Sequence, residues 1–184
     1  MIKRNPKTSW AESYMPIIDD AAYIDETAVV IGNVKIGRNV VVLPNVVIRA
    51  DEGMPIEIGE NTNIQDGVVI HCLKNASVKI GRNVSIAHRA VIHGPTEIGD
   101  NTFIGFNTVI LKAKIGKNCF ISHNAVVINV EIPDGKFVPP LSLIDSEEKV
   151  EDLRDVTEAE KEFARDVIEV NQELRRGYRG MTSG

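Results

Sequence analysis

The sequence predicts an all-β solenoid, a parallel β-helix of about seven three-sided coils, with a C-terminal α-helix behind it. Three observations carry that reading. Aliphatic residues recur every six positions, as in Ile58, Ile64, Ile70, then Ile80, Ile86, Ile92, then Ile98, Ile104, Ile110. A period of six matches neither a 3.6-residue helix nor plain two-fold alternation, and it suits hexapeptides that each turn one aliphatic into a triangular prism. A small residue often follows the aliphatic, at Gly59, Gly81, Ala87, Gly99 and Gly105. Valine and isoleucine abound while aromatics make up 5% of the chain, as many short strands require.

Residues 1–17 read as an irregular N-terminal segment, with Trp10 and Tyr14 expected against the first coil. The β-helix spans 18–145. It begins at Ile18, Ile24, Val30, continues through Ile36, Val42, Ile48, and ends with Ile115, Ile121, Val127 and a last turn of Ile132 and Val138 before Pro139-Pro140. Coils stacked at roughly 4.8 Å give a prism about 30 Å tall. The beat stretches from six to ten residues between Ile48 and Ile58 and again between Ile70 and Ile80, so two short loops leave the same corner. Loops on one side of a solenoid are where function concentrates. Gly-x-Asn pairs such as Gly37-Arg38-Asn39 and Gly81-Arg82-Asn83 fit tight corners that need left-handed backbone. Residues 146–156 read as a charged linker and 157–177 as the helix. Thr157 and Glu160 form its capping box, Gly177 stands at C′, and Phe163, Val167, Val170 and Leu174 make one apolar stripe.

The 184 residues carry a formal charge of −5, with acids and bases mixed, and no basic stripe argues for nucleic acid. No apolar run is long enough to span a bilayer, and the first residues lack the apolar core of a signal peptide. Two cysteines, Cys72 and Cys119, point to free thiols in a reducing compartment, so a cytoplasmic protein is expected.

Three histidines sit at fixed phases of the beat. His71 and His93 take the same place in adjacent coils, so they should stack on one face with backbones about 4.8 Å apart and converge on one ion at about 2.0–2.1 Å from each nitrogen. His88 lies near the previous corner, and the five residues to His93 reach about 17 Å when extended. One chain therefore keeps His88 away from the pair, whereas a three-fold oligomer brings it to the next subunit's pair. The phase predicts a homotrimer with metal sites between subunits. The competing reading is that each histidine is an ordinary surface residue. His123 falls at the His88 phase of a later coil, and no partner for it is evident in the sequence. Cys72, as the strand neighbour of His71, should point the other way and pack as a small thiol.

These residues resemble the γ-class carbonic anhydrases and their γ-carbonic-anhydrase-like relatives. The resemblance rests on Arg49-Ala50-Asp51-Glu52, Asn63-Ile64-Gln65-Asp66-Gly67, His71, the His88-x4-His93 pair and Glu169-Val170-Asn171. It implies a left-handed β-helix trimer that hydrates carbon dioxide reversibly to bicarbonate through a metal-bound hydroxide. Zinc would be held by His71 and His93 of one subunit and His88 of the next, with iron or cobalt able to replace it. It further implies that Gln65 orients the hydroxide and that Asn63 and Asn171 place carbon dioxide. Glu52 would help proton transfer, and Arg49 with Asp51 would support the trimer contact and anion binding. Asp66 would support the arginine or the glutamine. The segment Cys72-Leu73-Lys74-Asn75-Ala76-Ser77 is short and carries no acid, with Lys74 about where active members have a proton-exporting glutamate. The resemblance is to the branch lacking that acidic loop. Two other functions remain open from the residues alone. One is a hexapeptide acyltransferase using coenzyme A, and the other is a metallo-scaffold or assembly subunit of weak activity.

Overall fold

The structure is a computed structural model that describes residues 1–182. It is a parallel β-solenoid of three sheets with eight, seven and seven strands, equivalent to seven complete coils. The arrangement is consistent with the left hand that the resemblance implies. Every strand pair between coils is parallel and in register, which keeps each aliphatic above its predecessor: Ile48 under Ile70, Ile70 under Ile92, Ile92 under Ile110. These four are fully buried. The interior is a continuous stack dominated by isoleucine and valine, with Thr96 buried at the place that Val78 takes one coil earlier.

The corners divide their work between two residue types. Asn39, Asn61, Asn83, Asn101 and Asn118 all have φ between 52° and 58°, the left-handed region that asparagine tolerates. Their amides also form a ladder, Asn39 to Asn61, Asn61 to Asn83, Asn83 to Asn101 and Asn101 to Asn118, at 3.0–3.2 Å. The glycine two residues earlier is needed for a different reason. A Cβ on Gly59 would lie 2.5 Å from the carbonyl carbon of Gly81 in the next coil.

The outward side chains make the three faces chemically unlike. On the first face the column reads Ile17, Lys35, Glu57, Lys79, Glu97, Lys114, Glu131, so charge alternates from coil to coil. The second face carries Tyr23, Val41, Asn63, Ser85, Phe103, Phe120, Phe137. The third carries a column of Val29, Val47, Val69, Val91, Val109, Val126 and Leu143, and beside it Arg49, His71, His93, Leu111 and Ile128.

Several boundaries differ from the sequence reading. Ile2–Lys3 is a strand that pairs with Val30 and Ile31, so the N-terminal segment is not wholly irregular. Trp10 does not lie on the first coil; it is half exposed beside the loop after His71, with the Lys74 ammonium 5.6 Å from its ring centre. Helix α1 (Glu147–Glu151) occupies part of the expected linker, capped by Ser146 and docked through Val150. Helix α2 (Glu158–Thr182) starts at the expected capping box, where Thr157 N–H donates to Glu160 at 2.8 Å. It does not stop at Gly177. At about 1.5 Å per residue its 25 residues span about 37 Å, enough to run from the last coil back to the first. There Arg175 donates to the Ala21 carbonyl at 2.7 Å, Arg179 to the carbonyls of Asp20 and Ala22, and Tyr178 stacks on Tyr23 at 5.0 Å. Those anchors hold the helix together past the glycine. Phe163, Ala164 and Val167 of α2 pack on the Phe103–Phe120–Phe137 ladder, so the helix covers the second face of its own chain. No helix among the described residues is long and apolar enough to cross a membrane.

Candidate metal centre

His71 and His93 are Cα partners in adjacent third-face strands. Their aliphatic neighbours Ile70 and Ile92 point inward, so both imidazoles point out. His71 Nδ1 and His93 Nε2 face each other at 3.2 Å. The other nitrogen of each ring has a different setting. His93 Nδ1 lies 3.1 Å from the Gly94 carbonyl, which can only accept, so Nδ1 carries the hydrogen and Nε2 the lone pair. His71 Nε2 lies 3.5 Å from both Asp51 Oδ1 and Glu52 Oε1, too far for a formed hydrogen bond to either. His93 Nε2 therefore presents its lone pair to His71 Nδ1 at hydrogen-bond distance. Burial pushes the His71 imidazole below its ordinary value, with the Arg49 and His93 charges adding to that and Asp51 and Glu52 opposing it. A neutral imidazole is the form that binds metal.

The donor set fits a divalent cation. Two nitrogens each about 2.0–2.1 Å from a tetrahedral ion stand about 3.3 Å apart, close to the separation of these two. Ligating histidines characteristically give their other N–H to a carboxylate or carbonyl, as His93 does to the Gly94 carbonyl. His71 Nε2 and Asp51 Oδ1 are buried without a hydrogen-bond partner, although they point at each other. A shift of about 0.5 Å would close that bond.

The rest of the candidate residues fall into two groups. With the pair on the third face are Arg49, whose guanidinium donates to Asp51 at 2.7 Å, and Glu52, whose Oε2 accepts from the Lys74 N–H at 2.7 Å. At the second face and the corner after it stand the others. Gln65 Nε2 donates to Asn63 Oδ1 at 2.9 Å, and Asn63 Nδ2 donates to Ser85 Oγ at 2.8 Å, all three buried. His88 occupies a turn one coil beyond Asp66, with Nδ1 2.9 Å from Asp66 Oδ2. Asn171 is buried on α2 and donates to the Val167 carbonyl at 2.9 Å. Among the described residues no side-chain hydrogen bond or ion pair joins the two groups. Nor do three His, Cys, Asp or Glu side chains of this single chain group closely enough to hold a metal.

Two residues differ in standing from the sequence reading or clarify it. His123 is not partnerless: its ring stacks on Phe106 at 4.2 Å and its Nδ1 accepts the Phe106 N–H at 3.0 Å. The signal was the fixed offset between equivalent corners, readable only once the coil register is known. Cys72 is fully buried with its thiol toward the Met54 carbonyl, and burial, helped by the Glu52 and Asp51 charges, pushes it up to about 11. It is a packed thiol turned away from the imidazoles.

Comparison with known proteins bears on the fold and the family. The Hexapep pattern, described as bacterial transferase hexapeptide (six repeats), matches residues 15–50 and 77–112. The chain is 41% identical to a carbonic anhydrase of Methanosarcina thermophila, over 97% of this chain and 81% of that one. It is 44% identical to the carboxysome assembly protein CcmM of Nostoc sp., over 94% of this chain, and spans only 33% of that longer protein. A solved structure of a hexapeptide transferase family protein from Anaplasma phagocytophilum is 27% identical. It superposes with a TM-score of 0.77 over 90% of this chain and 93% of that one. The chain belongs to the γ-class carbonic anhydrase and γ-carbonic-anhydrase-like family of hexapeptide-repeat proteins.

Proposed function

We propose that the chain catalyses reversible hydration of carbon dioxide to bicarbonate at a metal centre shared between two subunits of a homotrimer. The observation that carries this reading is the His71–His93 pair, two outward ring nitrogens facing each other 3.2 Å apart. A third imidazole, the Nε2 of His88, is left for a neighbouring copy because Asp66 takes its Nδ1–H. The unlike faces support the trimer. The first alternates charge and suits water, and the second is covered by α2. The third leaves Val69 and Leu143 37% and 47% exposed. A third face docked on the next copy's second-to-third corner is a heterologous contact, which closes into a ring when the rotation is three-fold. The helix ridge of Phe163, Val170 and Leu174, 43–56% exposed, supports the same contact.

Zinc is the metal proposed first, with iron or cobalt as substitutes. When bound by neutral imidazoles it supplies a Lewis acid that brings the pKa of water from 15.7 to near 7. The chain's own residues do the rest. Gln65 commits its Nε2 to Asn63, which leaves its carbonyl oxygen to accept from the attacking oxygen and orient it. Asn171 gives one amide hydrogen to Val167 and keeps the other for an oxygen of carbon dioxide. Glu52 has one oxygen on Lys74 and the other toward His71, where a departing proton can be taken up. Arg49, 43% exposed beside Asp51, offers a cation to bicarbonate and to the neighbouring subunit. The two buried thiols support a cytoplasmic setting.

Metal analysis and stopped-flow carbon dioxide hydration of wild type and His88→Ala test the reading. Wild type is expected to hold close to one metal per chain and to turn over; His88→Ala should lose both. Full occupancy in His88→Ala would refute the shared centre. A second reading, an assembly subunit, is favoured by the CcmM relative and by the acid-free segment 72–77. A metal-loaded trimer without hydration would select it.

A further inference from the structure

His71 and His93 are held by strands and by burial. His88 has neither support: it stands on a turn and its side chain is 47% exposed. Its ring is nevertheless held on two sides. One coil below, Asp66 Oδ2 is 2.9 Å from Nδ1, and the Arg89 N–H bonded to the Asp66 carbonyl at 3.0 Å locks the two corners in register. One coil above, the Phe106 ring lies 5.3 Å away between centroids, itself fixed by its stack and hydrogen bond with His123.

We propose that Asp66 is the positioning residue for the metal-binding His88. It keeps the hydrogen on Nδ1 and so turns the Nε2 lone pair away from its own chain, toward the neighbouring copy. Phe106 is the wall that stops the ring from swinging. The inference rests on the shared-centre reading. It gives Asp66 a task other than the one the resemblance implies, since here its carboxylate bonds His88 rather than Arg49 or Gln65. The physical reason is tautomer choice. A carboxylate is acceptor only, so it selects Nδ1–H. Without it the imidazole samples Nε2–H, which puts a hydrogen where the metal's lone pair is needed.

The test uses the full chain as wild type, Asp66→Ala and Asp66→Asn. The asparagine keeps an acceptor oxygen, so it should rescue what alanine loses. Nitrogen chemical shifts of the labelled histidines, read without metal, report the tautomer. His88 is expected as Nδ1–H in wild type and Asp66→Asn, and as a mixture in Asp66→Ala. Cobalt affinity by chelator competition should weaken about 10–100-fold in Asp66→Ala, with trimer mass and thermal midpoint unchanged. An Nε2–H tautomer in wild type, or an Asp66→Ala protein with wild-type tautomer and cobalt affinity, overturns the proposal. If wild type itself binds no cobalt, the shared centre fails, and the tautomer comparison still decides what Asp66 does.

Discussion

A methyl group at Gly59 would lie 2.5 Å from the Gly81 carbonyl carbon and 2.6 Å from its oxygen, backbone atoms of the next coil that cannot swing aside. Gly59→Ala is therefore expected to destabilise the fold by about 1–3 kcal/mol, the usual cost of overpacking, measured by denaturant unfolding. An unchanged midpoint would mean that the coils can spread at that corner. The same corner shows what a sequence does and does not reveal about single residues. The Gly-x-Asn repeat marks the corner between the first and second faces plainly. It does not say that asparagine takes the left-handed backbone while glycine only makes room, because both residues tolerate such backbone and only the distance to the next coil separates the roles. Asp66 and His123 were unreadable for a related reason: their partners, His88 and Phe106, lie a coil away.

Helix α2 begins where its sequence says it should, because capping is local. Glu160 sits three residues after Thr157, and Arg154 reaches it as well. The Arg154 hydrogen bond, with help from Thr157, holds the Glu160 carboxyl at about 2 instead of its ordinary 4.5. A folded value below the unfolded one means the stabilisation is complete above pH 4.5 and is lost as pH falls toward 2. Thermal midpoints measured across that window should fall more steeply for wild type than for Glu160→Gln, and parallel curves would contradict the assignment. The end of the helix was not readable, because it depends on Arg175, Tyr178 and Arg179 meeting the first coil, more than 150 residues away in sequence. Gly177 is thus an interior glycine, and a Cβ there meets nothing within 4 Å. Gly177→Ala should stabilise the protein by about 0.5–1 kcal/mol. Destabilisation would place the helix end back at residue 177.

Across the whole molecule, the six-residue beat made the solenoid legible because a parallel in-register stack translates sequence period directly into spatial columns. The His71–His93 pair followed from the same translation. The phase also put His88 on another side of the prism from that pair; what it could not give was the hydrogen-bond partners of Asn63, Gln65 and Asp66, which depend on side-chain contacts along and between coils. In the proposed trimer the valine column of the third face brings the two groups together. Val109→Glu, two coils' width from Val69 along that column and outside the site, should leave the single chain folded and break the trimer in sedimentation. A trimer that persists would move the interface elsewhere.

The sharing of the centre is best tested by complementation. A His71→Ala/His93→Ala chain and a His88→Ala chain, each metal-free alone, are unfolded, mixed in equal amounts and refolded together. Random three-fold assembly places one intact centre in every mixed trimer, so metal content should return to about a quarter of wild type. Mixtures that stay as empty as their components would contradict a centre built from two chains.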